Sequence, residues 1–115
     1  MKLLTHNLLM SPGTRNGYPL GVEVEKMEEV EAEFNAEFMV RMVEKIEYAA
    51  LLKTLASIKV ESALPAAVPA NHAEDEEFLK ALHHALMEIE ILDGFLICPE
   101  TAKRFPIKDG IPSML

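Results

Sequence analysis

The chain has 115 residues, enough for one ordinary domain with its own core, and half of them are hydrophobic, which argues against disorder. Its formal charge of −8, from 19 acidic and 11 basic residues, argues against a stand-alone nucleic-acid-binding protein, because phosphate contacts need clustered Lys and Arg. The single cysteine, Cys98, excludes an internal disulfide and a cysteine-rich zinc site and fits a reducing intracellular compartment, and the pattern predicts neither a signal peptide nor a membrane span.

The first third of the chain is predicted to contribute strands. Residues 1–10 are apolar with weak β character, and the Pro, Gly and Asn residues of 11–17 indicate a loop. Apolar residues alternate with Gly and Glu over 20–25, which is the period of a half-buried strand. Residues 27–33 follow as an acidic connector.

Three helices are predicted in the middle of the chain. Asn35 is a candidate N-cap, and the apolar spacing from Phe38 onward predicts an amphipathic helix over 36–46. A second helical stretch covers 48–58, and a loop with two prolines follows at 62–71. The four acids of 74–77 suit a helix N-terminus, where the helix dipole favours negative charge, and they open the third helix.

The C-terminal quarter is predicted to form short strands and turns. Asp93-Gly94 between apolar runs predicts a hairpin. Residues 104–107 form a further strand, in which Pro106 belongs on an edge or at a strand end because it cannot donate to a ladder. Asp109-Gly110 predicts a second turn that leads into the tail 111–115.

These elements predict an α+β fold. The N- and C-terminal strands most economically share one small antiparallel sheet, with the three helices inserted beside it. We therefore predict a single domain over 1–115, with a discontinuous sheet part at 1–33 and 91–115 and a helical insertion at 34–90.

No group of residues predicts catalysis. His83 and His84 are adjacent on a helix, so their side chains point about 100° apart and cannot grip one metal together. Packed or half-exposed histidines are expected. Cys98 precedes a proline at a strand end and is expected to be a small buried hydrophobe rather than a nucleophile. Phosphate loops and dinucleotide fingerprints are missing, so we predict no catalytic, cofactor-binding or metal-binding residues.

The tail is the most informative segment. It ends the chain without a charge, and exposed apolar surface favours association. It either closes the protein's own sheet or adds a strand to the exposed sheet edge of a partner. Ile111 with Met114 or Leu115 would then fill pockets, while Pro112 would block pairing at one position. The pattern alone leaves both possibilities open.

A resemblance bears on this choice. It rests on the segment Met1-Lys2-Leu3-Leu4-Thr5-His6-Asn7-Leu8-Leu9, on Glu33-Phe34-Asn35, and on Cys98-Pro99-Glu100 through Phe105-Pro106-Ile107 to Gly110-Ile111-Pro112. With these motifs in this order over essentially the whole chain, the sequence resembles the multifunctional methyltransferase subunits of eukaryotes. These are small activators shared by several tRNA, rRNA and release-factor methyltransferases.

The resemblance implies a non-catalytic partner of Rossmann-like methyltransferases in the cytoplasm and nucleus, without a membrane. The resemblance implies a heterodimer of the two chains. In it the methyltransferase carries S-adenosylmethionine and the catalytic residues, and the activator contacts RNA only indirectly, through the methyltransferase. A C-terminal strand of the activator lies along an edge strand of the partner's sheet. That role falls on the partner-binding residues Gly110, Ile111, Pro112, Met114 and Leu115, with Phe105 and Ile107 in support.

One departure from the family concerns metal. Some members bind a structural zinc through two cysteines in the N-terminal loop and a Cys-x-x-Cys pair near the C-terminus. Here Cys98 holds the first place of that pair, Thr101 holds the second, and the loop has Ser11 but no cysteine. Tetrahedral zinc wants four N or S ligands. The resemblance therefore implies a zinc-ribbon-like sheet that is metal-free and held by packing alone, and no cofactor is expected.

Two other functions remain alternatives. A small enzyme would use Cys98 or a histidine, and it would show turnover that Cys98→Ser abolishes. A stand-alone adaptor would bind proteins, or would bind RNA directly with a steeply salt-dependent affinity. The resemblance favours the activator over both.

Overall fold

The structure, a computed structural model, describes residues 1–114. Its helices are α1 (Leu3–Leu8), α2 (Ala36–Lys45), α3 (Tyr48–Ser57) and α4 (Glu76–Met87), with a short 3-10 turn at His72–Glu74. Its strands are β1 (Gly21–Glu29), β2 (Ile89–Ile97), β3 (Arg104–Lys108) and β4 (Ile111–Pro112). They form one antiparallel sheet in the order β1-β2-β3-β4. The predicted α+β class, with an antiparallel sheet and inserted helices, is confirmed.

The inserted helices begin where local signals predict. Asn35 caps α2, since its side-chain oxygen accepts from the backbone N–H of Phe38 at 3.1 Å. Asp75, inside the acidic run, caps α4 in the same way at 3.0 Å, and two glutamates occupy the first turn of that helix. The described helices are far too short to cross a bilayer, the longest having 12 residues.

The prediction of β character at the N-terminus is wrong, because residues 3–8 form a helix. Leu3, His6 and Asn7 are its buried residues, and their spacing is that of one helical face. Only the first two residues resemble a strand. Lys2 forms an isolated bridge with Glu90 of β2.

The predicted hairpin at Asp93-Gly94 is also wrong, because β2 runs through both residues without a turn. Opposite them the register of β1 shifts between Val24 and Lys26. Gly94 has φ +155°, and a Cβ there would overlap the backbone oxygen of Glu23. This glycine therefore permits close approach of β1 at an irregular point of the ladder rather than a reversal of the chain.

The sheet has one buried and one exposed face. Ile91, Leu96, Phe105 and Ile107 are buried in the core with residues of α2, α3 and α4. On the exposed face the Arg104 guanidinium lies 4.3 Å from the ring centroid of Phe95 and 2.9 Å from the carboxylate of Glu23. Alternation along β3 thus decides which of its side chains reach solvent.

The two edge strands of the sheet differ in charge and length. β1 is nine residues long and carries exposed carboxylates over much of its length. These belong to Glu23, Glu25, Glu28 and Glu29. Charged side chains on an edge strand discourage pairing with another chain. β4, at the other edge, is two residues long and carries no charge.

Candidate partner-binding edge

The tail folds back as the last strand of the sheet. Asp109 and Gly110 have φ values of +51° and +80°, as a tight hairpin turn requires. They bring Ile111 opposite Lys108 and Pro112 opposite Ile107. The inner edge of β4 therefore completes the protein's own sheet, and its outer edge has no further strand within residues 1–114.

The backbone of β4 offers an acceptor at that outer edge. The N–H of Ser113 donates to the oxygen of Pro106 at 2.9 Å, so Ser113 turns its backbone groups toward β3. Because these groups alternate along a strand, Pro112 turns its carbonyl outward. As a proline it has no N–H to offer there. An added strand could receive no hydrogen bond from position 112 but could donate one to it.

The side chains of the tail divide between the two faces. Ile111 is 70% exposed, the largest value among the exposed large hydrophobic residues of the described chain. Pro112 and Met114 are half-buried, and Met114 packs against the core. Leu115, also predicted to bind the partner, lies outside the described residues. Among residues 111–114, Ile111 is thus the apolar side chain that is open to another molecule.

Two residues predicted to support partner binding lie in the core. Phe105 is 1% exposed and Ile107 is 3% exposed, so neither side chain can touch a partner in this conformation. They hold β3, the strand with which β4 pairs. Their predicted supporting role in partner binding stays a prediction, and through β3 they could act on a partner only indirectly.

The turn before β4 lies against partly buried polar groups. The N–H of Gly110 donates to the oxygen of Leu92 at 2.9 Å. The α-ammonium of Met1 lies 2.8 Å from Oε1 of Glu90 and 2.7 Å from the oxygen of Ile91. A Cβ on Gly110 would lie 2.8 Å from that glutamate oxygen, and the positive φ of this position favours glycine.

Three further exposed apolar residues were missed by the sequence analysis. Leu8 is 54% exposed, Met10 44% and Met27 39%. Leu8 lies on α1 away from its buried face, and a strand prediction for residues 1–10 could not reveal that. A helical period applied to the same residues would have placed Leu8 outside the stripe of Leu3, His6 and Asn7.

The adjacent histidines are packed or half-exposed, as predicted. His83 is buried, with Nε2 2.9 Å from the oxygen of Ala32 and its ring edge-to-face with Phe34. His84 is half-exposed and lies 3.0 Å from a carboxylate oxygen of Glu88. The hydrogen bond with His84 lowers the pKa of Glu88, against the opposing effect of burial. These contacts hold the connector after β1 against α4.

Cys98 lies beside two hydroxyl side chains, those of Ser11 and Thr101. The cysteine is 1% exposed, and its sulfur accepts from the N–H of Thr101 at 3.4 Å. Hydrogen bonds from the side chains of Ser11 and Thr101 lower the pKa of the Cys98 thiol to about 7, against the opposing effect of burial. One sulfur and two hydroxyls do not fit tetrahedral zinc. Within residues 1–114, no group of three or more His, Cys, Asp or Glu side chains could hold a metal ion.

Known proteins resemble this chain over its whole length. Residues 2–110 match the family model described as Trm112p-like protein. The chain is 43% identical over 119 residues to the multifunctional methyltransferase subunit TRM112-like protein of Mus musculus, covering 100% of this chain and 94% of the relative. It is also 43% identical to multifunctional methyltransferase subunit TRM112 homolog A of Arabidopsis thaliana, with 100% and 95% coverage.

A solved structure shares the fold. It is the E. cuniculi Mtq2-Trm112 complex, described as responsible for methylation of the eRF1 translation termination factor. The matched chain has a TM-score of 0.57 and 19% identity, covering 100% of this chain and 95% of that one. At this identity the similarity speaks for the fold alone.

Proposed function

This chain belongs to the Trm112p-like protein family, and from that membership we propose that it is a non-catalytic subunit that binds and activates S-adenosylmethionine-dependent methyltransferases. Support comes from relatives named as multifunctional methyltransferase subunits and from a fold shared with a methyltransferase complex. The partner supplies S-adenosylmethionine and the catalytic groups. Its targets in this proposal are tRNA, rRNA and a translation release factor, with eRF1 methylation by the Mtq2-Trm112 complex supporting the last.

The proposed contact is the outer edge of β4, which an edge strand of the methyltransferase sheet would extend. The observation that carries this is Ile111, 70% exposed on an uncharged edge strand that has no neighbour on its outer side in the described chain. Burying an isoleucine side chain contributes about 2 kcal/mol, and the outward carbonyl of Pro112 adds an acceptor. The missing N–H of Pro112 limits the possible registers.

Ile111→Asp tests the contact. The variant is expected to fold normally, because the side chain is exposed, but to bind a methyltransferase at least about thirtyfold more weakly, the equivalent of about 2 kcal/mol. Titration calorimetry with a methyltransferase identified by affinity purification from cells measures the loss. Met27→Asp, at the opposite edge of the sheet, is the matched control and is expected to bind normally.

Equal binding by Ile111→Asp and the wild type would contradict the proposed contact. Recovery of no methyltransferase in the affinity purification would contradict the proposed function as a whole. Met114→Asp is a poorer probe, because Met114 packs against the core and its loss is expected to lower thermal stability as well.

The proposal extends to metal and location. We infer that the chain folds without zinc, because its Ser11, Cys98 and Thr101 supply a single sulfur ligand. The family resemblance supports residence in the cytoplasm and nucleus.

Neither of the alternative functions, a small enzyme or a stand-alone adaptor, is favoured by an observation. Burial of Cys98 speaks against its use as a nucleophile, and the net charge speaks against direct RNA binding.

A further inference from the structure

Met1 fills a gap beside β2. Residues 94–97 of β2 pair with β3, but the earlier part of the strand extends beyond the end of β3. There the N–H of Ile91 donates to the oxygen of Met1 at 2.8 Å, and the α-amine of Met1 lies 2.7 Å from the oxygen of Ile91. This reciprocal pair, with the Lys2–Glu90 bridge, continues the sheet by two residues.

The amine of Met1 is a buried cation with a specific partner. Met1 is 3% exposed, and its ammonium lies 2.8 Å from Oε1 of Glu90. The Glu90 side chain is 21% exposed, so the pair is only partly buried. Charge-assisted hydrogen bonds are stronger than neutral ones, and removing one member of such a pair leaves a charge that solvent compensates only in part. The Met1–Glu90 pair is therefore expected to restrain the backbone that packs against it.

The turn that leads into β4 lies directly against this pair. A Cβ built on Gly110 would lie 2.8 Å from Oε1 of Glu90 and 3.1 Å from the nitrogen of Met1. Gly110 immediately precedes Ile111, and its N–H is bonded to the oxygen of Leu92. The ion pair, the turn and the exposed isoleucine thus form one contiguous set of contacts.

We propose that the ion pair between the α-ammonium of Met1 and Glu90 positions the tail strand β4, so that loss of this pair releases the strand. Without the pair, the turn at Gly110 loses the charged groups that lie against it. Glu90 is then a positioning residue for Ile111. The effect on partner binding rests on the proposed function, whereas the positioning is a property of the chain alone.

Amide hydrogen exchange measured by NMR on the chain alone tests the positioning. The reporters are the N–H of Gly110, bonded to Leu92, and the N–H of Ser113, bonded to Pro106. Three proteins are compared with a chain that begins at Met1: Glu90→Gln, a chain extended by Gly-Ser before Met1, and the control Glu76→Gln, which breaks an exposed ion pair with Lys80.

Both test proteins are expected to exchange these two amides at least about tenfold faster, while the control does not, since a partly buried charged pair contributes more than an exposed one. The N–H of Cys98, bonded to Lys103 at 2.9 Å, is expected to keep its rate in all of them. Unchanged rates at Gly110 and Ser113 would overturn the proposal. So would equal acceleration at Cys98, which indicates general loosening.

Binding of a methyltransferase by the same proteins separates this inference from the proposed function. Faster tail exchange together with weaker binding supports both. Faster tail exchange with undiminished binding supports the positioning role of Glu90 and contradicts the tail as the anchor.

Discussion

His6 shows how one buried polar side chain joins two segments. Its Nε2 lies 2.7 Å from the backbone oxygen of Leu20, next to the first residue of β1. A carbonyl oxygen only accepts, so the neutral ring carries its proton on Nε2 and donates it. Burial lowers the pKa of His6, and the bond to Leu20 only partly offsets this. Nothing near His6 in the sequence indicates this partner, because it lies 14 residues away.

Stability is therefore expected to fall in mild acid. Below the ordinary histidine pKa of 6.5, the unfolded chain binds a proton at His6 while the folded chain does not. The free energy of unfolding then decreases by up to about 1.4 kcal/mol per pH unit until the lowered folded pKa is reached. Urea unfolding between pH 7.5 and 5 measures the slope. His6→Gln is expected to lose this contribution, and an unchanged slope in that variant would contradict the assignment.

Gly94 supplies a second test at single-residue scale. Gly94→Ala places a Cβ on the backbone oxygen of Glu23 and is expected to lower the free energy of unfolding by more than about 2 kcal/mol. Gly21→Ala is the matched control on β1, because its Cβ would meet Ile97 at an ordinary 3.4 Å. Thermal unfolding of both variants gives the comparison. Equal stability would mean that β1 moves away from β2 at no cost.

At the scale of elements, local signals predicted the inserted helices and failed where distant partners decide. Asn35 and the apolar spacing after it predicted α2, which spans Ala36–Lys45. Asp93-Gly94 carries an equally strong local turn signal, yet β1 and β3 flank this strand and keep it extended. Residues 3–8 likewise become helical because α1 can bury one face against α3 and α4. Such contacts between remote segments are invisible in a local pattern.

A buried asparagine fixes the start of α3 from outside that helix. Asn7 of α1 donates to the oxygen of Glu47 at 2.9 Å and accepts from its N–H at 2.9 Å. Glu47 itself makes no side-chain cap for α3. One amide thus bonds both backbone groups at the junction of α2 and α3.

Asn7→Asp is expected to cost about 1–3 kcal/mol, since the carboxylate keeps the acceptor but loses the donor to Glu47. Asn35→Ala, which removes an exposed helix cap, is the control and is expected to cost about 1 kcal/mol. Urea unfolding monitored by circular dichroism compares them. A smaller effect for Asn7→Asp than for Asn35→Ala would show that the junction does not depend on the amide pair.

For the molecule as a whole, the inference of a metal-free fold makes a direct prediction. Elemental analysis of protein purified without chelator is expected to find well below one zinc per chain, and EDTA is expected to leave the unfolding temperature unchanged. The physical reason is the donor set, in which two hydroxyls stand beside Cys98. Stoichiometric zinc would overturn the inference.

The candidate site was predictable in outline. The uncharged tail and the Asp109-Gly110 turn indicated a strand at the end of the chain, and β4 is that strand. The sequence left open whether the tail closes the protein's own sheet or offers an edge to a partner. In the structure β4 pairs with β3 on one side and leaves its other side open within residues 1–114. Nor did the resemblance reveal that Phe105 and Ile107 point inward, although their alternation along β3 is consistent with it.

The contrast between the two sheet edges bears on stoichiometry. The long β1 edge carries exposed glutamates, which would repel an identical strand, while β4 is short and uncharged. A partner strand can add to the sheet beside β4, but the opposite edge, β1, does not accept a further strand. Assembly through strand addition is therefore expected to stop at a pair instead of continuing into a polymer, even at high concentration.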